Sequence, residues 1–281
     1  MESRSGIIIA FISLLLLTSC DKFEARGFFA SYESADQRFE QSMDWNSNNP
    51  VTELTATTNE YSIYAMADSH LGETNNLDFF LTQAIADGAV ATIMAGDLTS
   101  GHAEDYLVLE QHIMAQDAIP SFLVVGNHDL YFDGWKQFNT LFGSSTYQFT
   151  VTTPQATDLF IGLDTGSGTL GSEQLKWLEN LLENERDTYR HCILFTHNNL
   201  FRIRHTFSTN PLVEELRVLM ELLVKYDVDM MVTGHDHKKN VVSFGNTTHI
   251  TLDALQDSYK EASYLKLQID ENEVGYEFID L

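Results

Sequence analysis

The sequence predicts an α/β fold in which sheets are covered by helices, rather than a single doubly wound sheet. Strand-like and helical runs alternate from residue 61 to residue 237. The runs that read as strands repeatedly end in Asp, His or Asn instead of ordinary turn residues. The last forty or so residues, from 240 onward, are almost all strand-like.

The elements follow in order. "YSIYAMAD" (61–68) is an apolar strand, and "NNLDFFLTQAIADG" (75–88) reads as a helix ending at its glycine. "VATIMAGD" (90–97) is a second strand, "AEDYLVLEQHIMAQDA" (103–118) a helix, and "SFLVVGN" (121–127) a third strand. "YQFTVTTPQATDLFIGLD" (147–164) reads as two strands joined by a turn at Pro154. "SEQLKWLENLLENE" (172–185) is a helix opened by a serine cap, with Leu175, Leu178 and Leu182 on one face. "HCILFTH" (191–197) is a strand, and "PLVEELRVLMELLVKY" (211–226) a helix that aligns Leu212, Leu216, Leu219 and Leu223. "VDMMVTGHDH" (228–237) is the next strand, followed by "NVVSF", "HITLDAL", "SYLKLQI" and "VGYEFIDL".

Ahead of this lies a different kind of sequence. "MESRSGIIIAFISLLLLTSC" carries Arg4 and then an apolar run, Ile7 to Leu17, too short to span a bilayer comfortably. It reads as a signal peptide over residues 1–19, and "LTSC" resembles a bacterial lipoprotein box with Cys20 as the lipidated residue. That places the protein in a bacterial cell envelope, anchored to a membrane by lipid and outside the cytoplasm. Residues 20–59 are polar and mixed, with "WNSNNP" and "TATTN" as loop-rich pieces. Their aromatic residues are too many for a disordered tether, so part of the segment is expected to pack on the main domain, residues 60–281. With Cys20 lipidated, Cys192 stands alone in a strand and is read as core packing.

The formal net charge is −25, from 41 acidic and 16 basic residues. This excludes a duplex nucleic-acid partner, which calls for a basic face. It also means that an anionic substrate needs a locally positive site. The strand ends supply residues that could build one: Asp68 and His70, Asp97, Asn127 and His128, His197, and His235 and His237. Asp, His and Asn suit divalent zinc, manganese or iron, with no thiolate among them. Residues two apart on extended chain point to the same side, so Asp68 and His70 can reach one ion and His235 and His237 two neighbouring ones. Seven ligands drawn from these eight residues exceed one tetrahedral ion and suit two ions sharing a carboxylate.

The ordered set D-x-H, G-D, G-N-H-D, H and G-H-x-H, from Asp68 to His237, resembles the calcineurin-like metallophosphoesterases. The resemblance implies a four-layer α/β/β/α sandwich of two mixed β-sheets flanked by helices. It assigns Asp68, His70 and His237 to one metal and Asn127, His197 and His235 to the other, with Asp97 bridging. It implies two divalent ions (Mn, Zn or Fe) and a metal-bridged hydroxide that attacks phosphorus, with His128 facing the substrate phosphate as a catalytic residue beside Asp97. Asp129 is read as structural, orienting the loop. Ser100 stands where some members carry a carboxylate that orients the histidine and where purple acid phosphatases place a metal-binding tyrosine. "AGDLTSGHAEDY", "IPSFLVVGNHD" and "EQLKWLENLL" look closer to the branch of cyclic-nucleotide, lipid and nucleotide phosphodiesterases. The expected substrate is thus a small phosphate ester, a nucleotide or lipid head group, with a diester favoured. The alternatives are a phosphomonoesterase or a non-catalytic, metal-containing surface lipoprotein.

"NNLFRIRHTFSTNP" adds Arg202, Arg204 and His205 to a cation-poor chain, directly after His197. A guanidinium can grip phosphate with two parallel hydrogen bonds, so this loop is expected to rim the site and bind substrate. His102 and His112, in or beside a helix, read as surface or half-buried residues, and His191 and His249, in strands, have no partner at ligand spacing. Lys238 and Lys239 read as a solvated strand end.

Overall fold

In a computed structural model, residues 32–49, 52–199 and 213–281 are described. Their strands in chain order are β1 (Thr52–Thr55), β2 (Tyr61–Met66), β3 (Ala91–Ala95), β4 (Ser121–Val124), β5 (Tyr147–Thr152), β6 (Thr157–Gly162), β7 (Cys192–Phe195), β8 (Met230–Thr233), β9 (Asn240–Phe244), β10 (Thr247–Thr251), β11 (Ser263–Ile269) and β12 (Val274–Asp280). The helices are α1 (Ala35–Asn48), α2 (Asn75–Ala86), α3 (Ala103–Ala115), α4 (Gly134–Leu141), α5 (Ser172–Glu185) and α6 (Val213–Lys225).

The strands form two mixed sheets, one seven-stranded with order β1-β5-β6-β7-β8-β10-β9, the other five-stranded with order β12-β11-β2-β3-β4. Parallel strands β6, β7, β8 and β10 fill the middle of the larger sheet, and parallel β2, β3 and β4 run to one edge of the smaller. Side-chain alternation builds the layers. On β2, Tyr61, Ile63 and Ala65 face the other sheet, while Tyr64 and Met66 face α2 and α3. Between the sheets the rings of Phe122, Phe149 and Phe160 stack in sequence, with centroids 3.6 and 4.7 Å apart. A second apolar layer lies under α2, α3 and α4, and a third under α5 and α6. This is the expected α/β/β/α sandwich.

The segment before β1 differs from its loop-rich reading. Residues 35–48 are helical, so "WNSN" ends a helix instead of forming a loop. A capping box starts it: Ser34 accepts from the Gln37 N–H, and the Gln37 side chain accepts from the Ser34 N–H. Arg38, fully buried, then forks onto Asp164, with Nε to Oδ2 at 2.7 Å and Nη2 to Oδ1 at 3.1 Å. Trp135 of α4 donates its indole N–H to Gln41, and Asn46 donates to the Thr146 carbonyl. Helix α1 thus spans from α4 to α5 across one side of the sandwich. Its polar composition concealed it because its anchors are hydrogen bonds, not an apolar stripe.

The expected serine cap of α5 is a correction too. Gly171 holds the cap position, and Ser172 is the first helical residue. The cap comes from α1, where Asp36 accepts the Glu173 N–H and the Ser172 hydroxyl, both at 3.0 Å. An aspartate 137 residues away in sequence satisfies the helix start, and local pattern cannot show that.

Candidate metal centre

Every strand end singled out in the sequence meets at one end of the sandwich. Asp68 and His70 follow β2, Asp97 follows β3, Asn127 and His128 follow β4, His197 follows β7, and His235 and His237 follow β8. These are the carboxyl ends of parallel strands, where α/β sheets place their ligands. Two groups form there: Asp68, His70, Asp97 and His237, and Asp97, His197 and His235, with Asp97 common to both.

Each carboxylate is pinned by one oxygen and aims the other. Asp97 Oδ1 accepts the His128 N–H at 2.7 Å, leaving Oδ2 at 3.2 Å from His197 Nε2 and 3.8 Å from His70 Nε2. Asp68 Oδ2 accepts the His235 N–H at 2.8 Å, leaving Oδ1 at 3.2 Å from His237 Nε2 and 3.9 Å from His70 Nε2. The loops therefore cross-tie: the Asn-His loop holds Asp97, common to both groups, and the H-x-H loop holds Asp68. His197 gives its Nδ1 hydrogen to the Ala95 carbonyl at 2.9 Å, which frees Nε2 to face the centre.

These separations suit cations. His70 Nε2 and His237 Nε2 lie 3.1 Å apart, as do His197 Nε2 and His235 Nδ1. Ligand atoms on a tetrahedral ion with bonds of about 2.05 Å stand about 3.3 Å apart. Asp68 Oδ1 and Asn127 Oδ1 are buried and accept no hydrogen bond. Buried oxygens without donors are costly unless something positive faces them. With hard oxygen and imidazole donors and no thiolate, the residues fit the two ions.

The electrostatics carry the same mark. Burial alone would lower the His197 pKa, but the adjacent Asp97 carboxylate outweighs it and lifts it to about 10. Asp97 is in turn held well below the usual carboxylate range: the imidazoles of His197, His128 and His70 together outweigh its burial. Burial pushes His70 down to about 4, against the pull of Asp97 and Asp68.

Backbone conformation separates this end from the rest. Asp68, His70, Asp97, His235 and His237 all have φ between 38° and 73°. Left-handed conformation is uncommon for non-glycine residues and concentrates at functional sites. Two glycines permit the close approach this needs. A Cβ on Gly126 would sit 2.2 Å from Asp97 Oδ1, and one on Gly234 would sit 2.5 Å from Asp68 Oδ2.

His128 is half-buried, its ring edge-on to His70 at 4.5 Å and against Tyr131 at 4.7 Å. Asp129 accepts the N–H groups of Leu98, Thr99 and Gly126 and the Thr99 hydroxyl, so it joins the loops after β3 and β4. Tyr131, not singled out in the sequence, has its hydroxyl 3.4 Å from Asn127 Nδ2. Thr165, also not singled out, accepts the Asn198 N–H beside His197, and no local motif marks it. Cys192 is buried in β7 and its thiol is pushed up to about 12 by burial. Arg202, Arg204, His205 and Cys20 lie outside the described residues. A cavity of about 580 Å³ lies elsewhere, lined by Trp45, Phe122 and Trp177, and includes no residue of the centre.

A sandwich with a two-ion ligand set at its strand ends defines a metal-dependent phosphoester hydrolase. The chain belongs to the calcineurin-like phosphoesterases: the model of that family matches residues 61–239. Members use a dinuclear metal centre, and the two residue groups sharing Asp97 are the candidates for it here. Among solved structures, the chain is similar to GAP50, the anchor in the inner membrane complex of Plasmodium (TM-score 0.64, 12% identity, 79% of this chain and 84% of that one). It is also similar to a dimetal phosphatase from Danio rerio (0.61, 13%, 79% and 98%). The purple acid phosphatase PPD1 of yellow lupin, Lupinus luteus, aligns over 80% of this chain and 52% of its own (0.60, 16%). At these identities the likeness is one of fold. No curated protein matches the chain.

Proposed function

We propose that the protein hydrolyses small phosphate esters, diesters in preference to monoesters, with Asp68, His70 and His237 holding one ion, Asn127, His197 and His235 the other, and Asp97 between them. The sharing of Asp97 by two groups of converging ligand atoms carries this reading. When bound, the ions supply positive charge to the phosphoryl oxygens and acidify water. The chain's own residues do the rest. Asp97 and Asp68, each fixed by a backbone N–H, hold the negative side of the site in place before substrate arrives. His128, whose ring packs against those of His70 and Tyr131, is proposed to give a proton to the leaving oxygen. The net charge of −25 opposes a dianionic monoester more strongly than a monoanionic diester, which supports the diester preference.

The chain is further proposed to be lipid-anchored at Cys20 in the cell envelope, on the strength of the "LTSC" sequence. Among the described residues no helix is long and apolar enough to cross a membrane. Cys20→Ser is expected to move the protein from the detergent phase to the aqueous phase on partition. Arg202 and Arg204 are proposed to hold the substrate phosphate, and Arg202→Ala with Arg204→Ala is expected to raise KM.

The test is hydrolysis of an aryl phosphate diester and the matching monoester after loading with manganese or zinc. Asn127→Ala and His128→Ala run beside the unaltered protein. Diester turnover that falls about 10²-fold or more in His128→Ala supports the reading. Monoester preference makes the protein a phosphatase. Two bound metals without turnover of either ester leave a binding lipoprotein.

A further inference from the structure

The loop after Asn127 and His128 carries an aromatic residue in an unusual state. Phe132 has φ 55° and ψ 33°, and Asp133 beside it has φ 63°. A bulky side chain in this region is a conformational outlier. Phe132 is also 62% exposed, so burial does not repay the conformation. One face of its ring is nevertheless covered: His102 stacks on it with centroids 4.1 Å apart and planes within 17°. With that face occupied, the exposure belongs to the opposite face.

Position ties this stack to the reacting centre. Tyr131, the preceding residue, packs its ring against His128 and stands nearly perpendicular to Phe132 at 6.5 Å. On the other side, His102 follows Gly101, and a Cβ on Gly101 would sit 2.4 Å from the Tyr131 carbonyl and 2.8 Å from that of His128. The loop bearing His102 and the loop bearing Phe132 are thus packed backbone to backbone, two ring contacts from His128. Trp135 and Phe138, further along the same segment, turn inward and are buried. Phe132 alone of these is held outward.

We propose that Phe132, backed by His102, is a stacking platform for a flat aromatic group on the substrate, and that the preferred phosphate esters are those of nucleosides. This rests on the phosphohydrolase reading above. Every nucleobase offers a π-face, so such a platform favours bases over sugar or alkyl esters with little choice among them. It needs no cation, which suits a chain so poor in them. His102 keeps the phenyl ring from rotating away.

The test compares esters that differ only in the base: a nucleoside 5′-phosphate against ribose 5-phosphate, and the methyl diester of each. The expected result is a kcat/KM about ten-fold higher with the base, expressed in KM, and lost in Phe132→Ala while the base-free esters are used as before. Phe132→Tyr retains the preference. Equal use of both esters, or an equal loss for both in Phe132→Ala, overturns the proposal. Calorimetry on the metal-loaded protein separates this from the parent reading. Its probes are the nucleoside and ribose phosphonates in which a methylene replaces the ester oxygen. Tighter binding of the nucleoside phosphonate, abolished by Phe132→Ala, upholds the platform even if no ester is hydrolysed. Equal binding of the two phosphonates removes it.

Discussion

Asp158, His191 and Asp229 lie at the amino ends of β6, β7 and β8, while His197 and His235 lie just past the carboxyl ends of β7 and β8. Acid and imidazole groups meet at both ends of the sandwich. At the amino end the chain satisfies them itself. Asp158 accepts from Arg190 Nε at 2.9 Å and Nη2 at 2.6 Å, from the His191 N–H at 3.1 Å and from the Tyr61 hydroxyl at 2.8 Å. His191 places Nδ1 3.1 Å from Asp229 and Nε2 2.9 Å from the Asp270 carbonyl, and Asp229 also receives the Cys192 N–H and Arg186. Tyr61 belongs to the smaller sheet and Asp270 to its β11–β12 turn, so this network fastens the two sheets together. At the carboxyl end, buried oxygens of Asp68 and Asn127 lack donors and imidazole nitrogens face one another. One end is finished by protein; the other is built to be finished by cations.

The largest expected effects break the comparison at the open end. Asp97→Asn removes the group common to both ligand sets, and phosphoester hydrolysis is expected to fall by about 10³-fold or more. Metal should also stop stabilising the protein. A ligand at 100 times its Kd contributes about 2.7 kcal/mol, and each kcal/mol moves Tm by about 2–4 °C in a chain of this size. Chelation of the unaltered protein is therefore expected to lower Tm by about 5–10 °C, and chelation of Asp97→Asn to leave it unchanged. Differential scanning calorimetry with and without chelator reads both.

The converse lies at the closed end. Asp158→Ala leaves the half-buried Arg190 without its carboxylate, and the cost is expected at or below the low end of the about 3–5 kcal/mol for breaking a fully buried pair. The stabilisation by metal should remain as in the unaltered protein, as should kcat in the folded fraction. If Asp158→Ala instead abolished metal binding, the two ends would not be independent.

His191 gives a smaller effect of defined sign. Burial alone would lower its pKa, but Asp229 and the Asp270 carbonyl outweigh it, with Asp158 adding, and the net shift is upward. The folded state thus holds the proton more tightly than the unfolded chain, whose histidine titrates near pH ~6.5. The resulting stabilisation is fully present below that pH and is lost as pH rises through the folded value. Arg186 and Arg190 border the same network. Tm of the unaltered protein is expected to fall more steeply than Tm of His191→Gln as pH rises above about 6.5, the unfolded value. Parallel curves would place the pH dependence elsewhere.

The two ends also differed in how far the sequence exposed them. The open end was legible because its residues follow apolar runs directly, so Asp68, Asp97, Asn127 and His197 announce themselves as polar groups where a strand should turn. The sandwich was legible for the same reason: period-two burial on β2 and the leucine stripe on α5 are local patterns. The closed end was not, since Asp158, His191 and Asp229 are each unremarkable singly and meet only through sheet pairing. Helix α1 was hidden likewise. Arg38 and Asp36 find Asp164 and Glu173 more than 120 residues away, and nothing near them in the chain says so. The left-handed backbone of the ligand residues was hidden too, because it depends on the loops that press against them.

The smallest effect sharpens this last point. Left-handed conformation costs a non-glycine residue about 1–2 kcal/mol, less for aspartate or asparagine. Phe132→Ala keeps a Cβ and so keeps the strain, whereas Phe132→Gly releases it. The glycine variant is expected to exceed the alanine variant by about 1 kcal/mol, roughly 2–4 °C in Tm, after part of the gain is offset by glycine's freedom in the unfolded chain. Both variants should lose the preference for base-bearing esters. Asp227, left-handed in the turn before β8 with its carboxylate accepting from Asn246, is the control from the closed end. Aspartate tolerates this conformation, so Asp227→Gly should gain less than Phe132→Gly, each measured against its alanine counterpart. A phenylalanine that sacrifices stability while facing water is explained by what stacks on it. If glycine at Phe132 brought no gain over alanine, the strain would be absent and the conformation would no longer single out that residue.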